Sequence, residues 1–192
     1  MIKTLATDPL VSGLISETWG PWMKESSGLN DNKVDFYVDP SIPQPQKKYT
    51  TKVIRKIDRL TGTKMKIQQD PFLADIIVGD VDSYGPEFPN INGLALIDKN
   101  SQKMYATWLT DWNLTLTNRM GKERVANYNK KLIVHEILHT SGLSHPFEDG
   151  EHQDYTNKDT AMSYNYVTDD IKNPLRKIYA GMISSMDDGV GK

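Results

Sequence analysis

Apolar residues in the first half of the chain alternate with polar ones in short runs, and in two later stretches they recur at helical spacing. Val34-Asp35-Phe36-Tyr37-Val38 has a two-residue period, which predicts a short strand stopped by Pro40, Pro43 and Pro45. From Lys47 to Leu60 the period lengthens. Val53, Ile57 and Leu60 fall on one side of a basic segment, predicting an amphipathic helix that lies on a sheet and ends at Gly62. Lys64-Met65-Lys66-Ile67-Gln68 alternates as a half-exposed strand, whereas Ala74-Asp75-Ile76-Ile77-Val78-Gly79 reads as an interior one. Leu94–Ile97 and Met104–Leu109 supply two more strands. Strand, helix, strand and then further strands predict an α/β (α+β) fold, a mixed sheet backed by helices.

A second helix is predicted from about Lys122 to Ser141, with Val125, Leu132, Glu136 and His139 close to one stripe. Beyond His145 the pattern weakens into a loop-rich lobe reaching about Tyr166. Asn173 then caps a closing helix that starts at Pro174 and carries Leu175, Ile178, Tyr179, Met182 and Ile183 on its apolar side. Residues 1–32, rich in Gly, Ser, Asn and Pro around Trp19 and Trp22, read as an irregular N-terminal arm.

Composition narrows the function classes. A chain of 192 residues with 38% hydrophobic content can bury one sizeable core. A net charge of −2 gives no reason to expect nucleic acid as a partner. The chain has no cysteine, which excludes disulfides, thiolate zinc ligands and a cysteine nucleophile. The residues after Met1 lack the apolar core of a signal peptide, and no apolar run approaches the ~20 residues of a membrane span. The expected location is therefore cytoplasmic, virion-associated or reached by a leaderless export route.

The strongest chemical signal runs from His135 to His145, in the order His-Glu-Ile-Leu-His-Thr-Ser-Gly-Leu-Ser-His. Residues four apart share a helix face, so His135 and His139 can point at one metal ion from consecutive turns. Glu136 is offset by about 100° and can lean over a water in the open position of a catalytic zinc. Gly142 lets the chain leave the helix with a left-handed backbone and return His145 to the same ion. His135, His139 and His145 are thus read as the ligands of one catalytic Zn2+, with Glu136 as general base and then general acid.

This pattern resembles the metzincin signature, and Thr160-Ala161-Met162-Ser163-Tyr164 lies after the third histidine as the Met-turn does in that family. Gly-Leu-Ser before His145 and Pro146 after it are similar to the serralysins in particular, relatives of the matrixins and astacins. So is the opening Ser12-Gly13 with Trp19 ahead of a strand. The likeness covers roughly residues 10–183 and is strong over 132–146 and 160–165. It implies a zincin-like fold, a twisted five-stranded sheet with a central zinc helix and a small C-terminal lobe closed by a helix. The division it implies is an arm over 1–32 and a metallopeptidase catalytic domain over 33–192, with an upper lobe of 33–142 and a lower lobe of 143–192. The glycine- and aspartate-rich calcium-binding repeats of serralysins are not in this sequence, so calcium has no support beyond the family.

The resemblance assigns Tyr164 a second role at the metal. It would be a resting-state zinc ligand that swings away with substrate and donates its hydroxyl to the oxyanion; a tyrosine that only packs the turn is the alternative. Met162 would form a hydrophobic floor beneath the imidazoles. Gly93, Leu94, Ala95 and Leu96 would form the edge strand on which an extended polypeptide substrate lies antiparallel, or else an ordinary buried strand. His152, in the polar run Glu148–Asp154, reads as solvated loop. The Lys47-Lys48 and Lys130-Lys131 pairs read as exposed helix surface. The expected function is a zinc-dependent endopeptidase. Two alternatives stay open: a virion or assembly-associated structural protein with one dedicated substrate or none, and a hydrolase of peptidoglycan peptides.

Overall fold

The computed structural model describes residues 13–14, 33–88, 91–109, 122–156 and 159–165, and for 122–128 the backbone alone. The remainder of the 1–32 arm with Trp19 and Trp22, Tyr166, and the helix expected from Pro174 lie outside the described residues.

Five strands form one sheet: β1 (Lys33–Val38), β2 (Lys64–Gln68), β3 (Ile76–Val81), β4 (Gly93–Asp98) and β5 (Lys103–Leu109). Their spatial order is β2-β1-β3-β5-β4. The first three pairings are parallel, and β4 alone runs antiparallel, with Gly93 opposite Trp108 and Ile97 opposite Met104. The β2 strand lies at one end of the sheet, which accounts for its half-exposed alternation; β3 is interior, as its apolar run implies.

Two helices back the sheet. Helix α1 (Gln44–Thr61) lies over β1 and β2, α2 (Lys122–His139) over β4 and β5, and the helices touch each other. Alternation in the strands turns Val34, Phe36 and Val38, Ile76 and Val78, and Met104, Ala106 and Trp108 toward them. Facing them are Val53, Ile54 and Ile57 of α1 and Ile133, Val134, Ile137 and Leu138 of α2. Each such side chain contributes about 1.5–3 kcal/mol by leaving water. The buried Trp108 indole donates to Gln46 Oε1 at 2.9 Å, so its polar atom is satisfied.

Two sequence expectations need correction. Pro45 does not end the β1 connection: it sits inside the first turn of α1, where a missing N–H costs nothing because that group has no helical partner. Lys131 is not exposed surface. It is 8% accessible, and its ammonium donates to the Ser163 carbonyl at 2.8 Å, whereas Lys130 is exposed as expected. No helix among the described residues is long and apolar enough to cross a membrane.

Candidate metal centre

His135 and His139 project from consecutive turns of α2, and both are buried. The helix stops immediately afterwards in a Schellman arrangement. Leu143 N–H donates to Leu138 O at 3.2 Å and Gly142 N–H to His139 O at 2.9 Å, with Gly142 at φ +87°. A side chain at that φ is strained, so glycine is what permits so abrupt an exit. The returning chain is fixed by Ser144 N–H donating to Leu14 O at 2.8 Å. It is then reversed by Phe147 and Glu148, both in left-handed backbone at φ 52° and 61°. Strain of this kind concentrates where a site needs a particular geometry.

The result is a convergence of three imidazoles. His135 and His139 Nε2 are 3.1 Å apart, and His135 and His145 Nε2 are 3.2 Å apart. His135 Nδ1 lies 2.8 Å from Ala161 O, and His139 Nδ1 lies 2.8 Å from Leu143 O. A carbonyl can only accept, so both Nδ1 atoms carry the hydrogen and both Nε2 atoms present lone pairs. The 3.1 Å contact between His135 and His139 therefore has no proton to share when the rings are neutral. Two lone pairs at that separation repel unless a cation lies between them. A tetrahedral zinc with nitrogens at 2.0–2.1 Å requires a spacing of about 3.3–3.4 Å, close to what the trio shows.

Electrostatics favours the ligating form. Burial holds His135 well below the usual imidazole range, with His139 nearby adding to the effect. Burial likewise brings His139 down to about 4. Burial also lowers His145, against the opposing pull of the Glu148 and Asp149 carboxylates. Neutral imidazoles are what a metal binds. Among the described residues this trio is the only cluster of three or more His, Cys, Asp or Glu residues arranged to hold an ion. It can coordinate a divalent metal such as Zn2+.

Glu136 lies beside the trio, 3% accessible, and burial pushes its carboxyl up to about 8. The backbone of β4 abuts it. A Cβ on Gly93 would sit 2.5 Å from Glu136 Oε1 and 2.6 Å from Leu132 Cδ1. A cleft of about 500 Å³ opens here, lined by Gly93, Leu94 and Ala95 of β4, by Glu136 and His139 of α2, and by His145 and Tyr164. Among the described residues β4 pairs with β5 alone, at the end of the sheet order. Leu96 is 38% exposed.

Residues 160–164 form the opposite support. Thr160, Ala161, Met162 and Ser163 are buried, and Met162 belongs to the main core with Ile137 and Leu138. Tyr164 is 45% exposed. Its ring lies 5.1 Å from that of His135 and 4.4 Å from that of His145, and forms the ridge between the cleft and a second depression lined by Glu151, Gln153 and Asn165. His152 is away from this centre and half-buried. Its ring packs against Phe147 at 5.1 Å and Tyr155 at 5.2 Å within a loop whose Glu148, Asp149, Glu151, Gln153 and Asp154 are exposed, as expected.

Sequence reasoning missed two groups around the site. Lys131 precedes His135 by one helical turn, and that i, i+4 spacing was the available signal that it shares the histidines' face. Tyr84 had no local signal. Thr107 Oγ1 donates to Leu94 O at 3.1 Å and receives the Tyr84 hydroxyl at 3.0 Å, which braces β4 from the loop after β3. Burial pushes the Tyr84 hydroxyl up to about 12, and the Glu136 carboxylate adds to the shift.

No protein-family model matches this sequence, and no curated protein matches it. Among solved structures the chain is similar to one described as the GM1 bound form of the ECX AB5 holotoxin. That match has 15% identity and a TM-score of 0.45, and covers 62% of this chain. The chain spans 55% of the length of that one.

Proposed function

We propose that this protein is a zinc-dependent endopeptidase of metzincin type, with a motif similar to that of the serralysin catalytic domain. The observation that supports this best is the meeting of three metal-ready imidazoles and one buried carboxylate in a cleft beside the end strand of the sheet. A zinc held by His135, His139 and His145 would supply Lewis acidity and lower the pKa of a water molecule toward about 7.

The chain's own residues do the rest. Backbone groups of Gly93–Leu96 pair with an extended peptide and bring a carbonyl over the trio; main-chain pairing tolerates many sequences. Glu136 takes the proton of the attacking water and hands it to the departing amine; it is buried beside the trio, where the charge of a bound metal would favour its ionised form. Tyr164, ridged over His135 and His145, turns its hydroxyl toward the carbonyl oxygen as charge develops there. The carbonyls of Ala161 and Leu143 hold two ligand rings in orientation, the outer-shell support that metal sites need. Met162 packs the core side of the same turn.

Metal analysis combined with Glu136→Ala tests the reading. The parent protein is expected to hold about one zinc per chain and to cleave unfolded polypeptides at internal bonds. Glu136→Ala is expected to keep the zinc and lose nearly all cleavage. Equal rates for the two proteins, or no zinc after careful loading, would refute it.

A further inference from the structure

Lys131 is the one cation among the described residues of α2 that the fold buries, and its placement is specific. Its ammonium donates to Ser163 O at 2.8 Å. One turn further along the same helix face, His135 Nδ1–H donates to Ala161 O at 2.8 Å. Successive turns of α2 therefore grip two carbonyls of the 160–164 segment, two residues apart. Ser163 O belongs to the peptide group whose N–H is that of Tyr164, and this N–H donates to Gly150 O at 2.6 Å. The Ser163–Tyr164 peptide is thus held at both ends, by a charged donor on one side and a carbonyl on the other.

Burying an ammonium is costly, and its desolvation brings the Lys131 amine down to about 8. An apolar side chain of similar volume would fill the space without that cost. What the cation adds is a charge-assisted bond, roughly twice as strong as a neutral one. Tyr164 is 45% exposed, and its ring packs on Gly150 and against His135 and His145, so the peptide clamp and these contacts place it together.

We propose that Lys131 is a positioning residue which, by clamping the Ser163–Tyr164 peptide to α2, fixes the Tyr164 ring over His135 and His145. The inference rests on the reading of Tyr164 as a group that acts at the metal. It assigns to Lys131 no contact with substrate.

The test is a double-mutant cycle on Lys131→Met, Tyr164→Phe and the pair, in full-length protein loaded with zinc and, separately, with cobalt(II). All four proteins are expected to bind one metal per chain. Lys131→Met is expected to lower kcat about tenfold with KM changed less than about twofold, and the double variant to be no slower than Tyr164→Phe alone. Lys131→Arg, which keeps a charged donor, is expected to recover most of the loss. In the cobalt proteins the visible spectrum of Lys131→Met is expected to move toward that of Tyr164→Phe. Losses that multiply in the double variant, or a Lys131→Met spectrum identical to the parent's, would overturn the proposal. Coincident parent and Tyr164→Phe spectra would overturn it too, since Tyr164 would then not reach the metal. If no protein cleaves any peptide while the spectra shift as expected, the endopeptidase reading fails and the positioning role stands. Should Lys131→Met not fold, Lys131→Gln takes its place in the same cycle.

Discussion

The two walls of the cleft are built on opposite principles. Helix α2 delivers His135, Glu136 and His139 through regular backbone alone: once the helix forms, their relative directions are set, and its other face is anchored by Ile133, Val134, Ile137 and Leu138. The facing wall, residues 143–164, contains among its described residues no helix or strand longer than a single turn and carries the left-handed Phe147 and Glu148. His145 and Tyr164 hold their places there because individual hydrogen bonds tie each to something remote, Ser144 to Leu14 and Ser163 to Lys131. A regular wall fails only if its fold fails, whereas an irregular one can lose its geometry one contact at a time.

The largest break in this comparison comes from the regular wall. His139→Ala removes one imidazole of the trio and the Nδ1–H that donates to Leu143 O, so it uncouples the helix from the start of the returning chain. Loss of most of the metal and a protease-sensitive segment after Leu143 are the expected results. Retained stoichiometric zinc, measured by elemental analysis, would show that the trio is not the site.

Glu136→Gln sharpens the comparison through stability. In the metal-free protein, burial holds the Glu136 carboxyl protonated up to about pH 8, while the unfolded chain releases that proton near 4.5. Between those values the folded state binds more protons, so this group's contribution to stability falls as pH rises. The depressed His139 acts the other way: between 6.5 and about 4 the unfolded state binds more protons, and stability falls as pH drops. Glu136→Gln is expected to remove the decline that runs from about pH 4.5 to 8, so that below 6.5 the acid-side loss from His139 is no longer offset. Parallel melting-temperature profiles for parent and variant after chelation would show that Glu136 is not buried as a proton-holding carboxyl.

Gly93→Ala probes the approach of β4 to the helix wall. The added methyl meets Glu136 Oε1 and Leu132 Cδ1, both ends of flexible side chains, so the fold should survive while the carboxylate moves. A fall in kcat of about tenfold with zinc content unchanged is expected, about 1.4 kcal/mol in the barrier. Unchanged kcat would mean that the carboxylate position is not set by β4.

Gly142→Ala is the mildest test and falls at the junction of the two walls. At φ +87° alanine costs about 1 kcal/mol or a little more, read as a lowered melting temperature in the zinc-loaded protein. No change would show that the helix exit relaxes without loss.

Much of this is legible in the sequence alone. The two-residue period of Val34–Val38 and the apolar run around Ile76–Val78 reported backbone preference and burial together, so the strands were readable. The i, i+4 spacing of His135 and His139 and the glycine at 142 carried the geometry of the helix wall and its exit, because both are local properties of the chain. Tertiary structure decided the rest. That Lys131 is buried follows from a carbonyl 32 residues away, that Tyr84 braces β4 follows from pairing between β4 and β5, and that Gly93 touches Glu136 follows from how α2 lies on the sheet. Local sequence encodes direction and period; only packing of remote segments determines which polar groups leave water together, and so which of them act on one another.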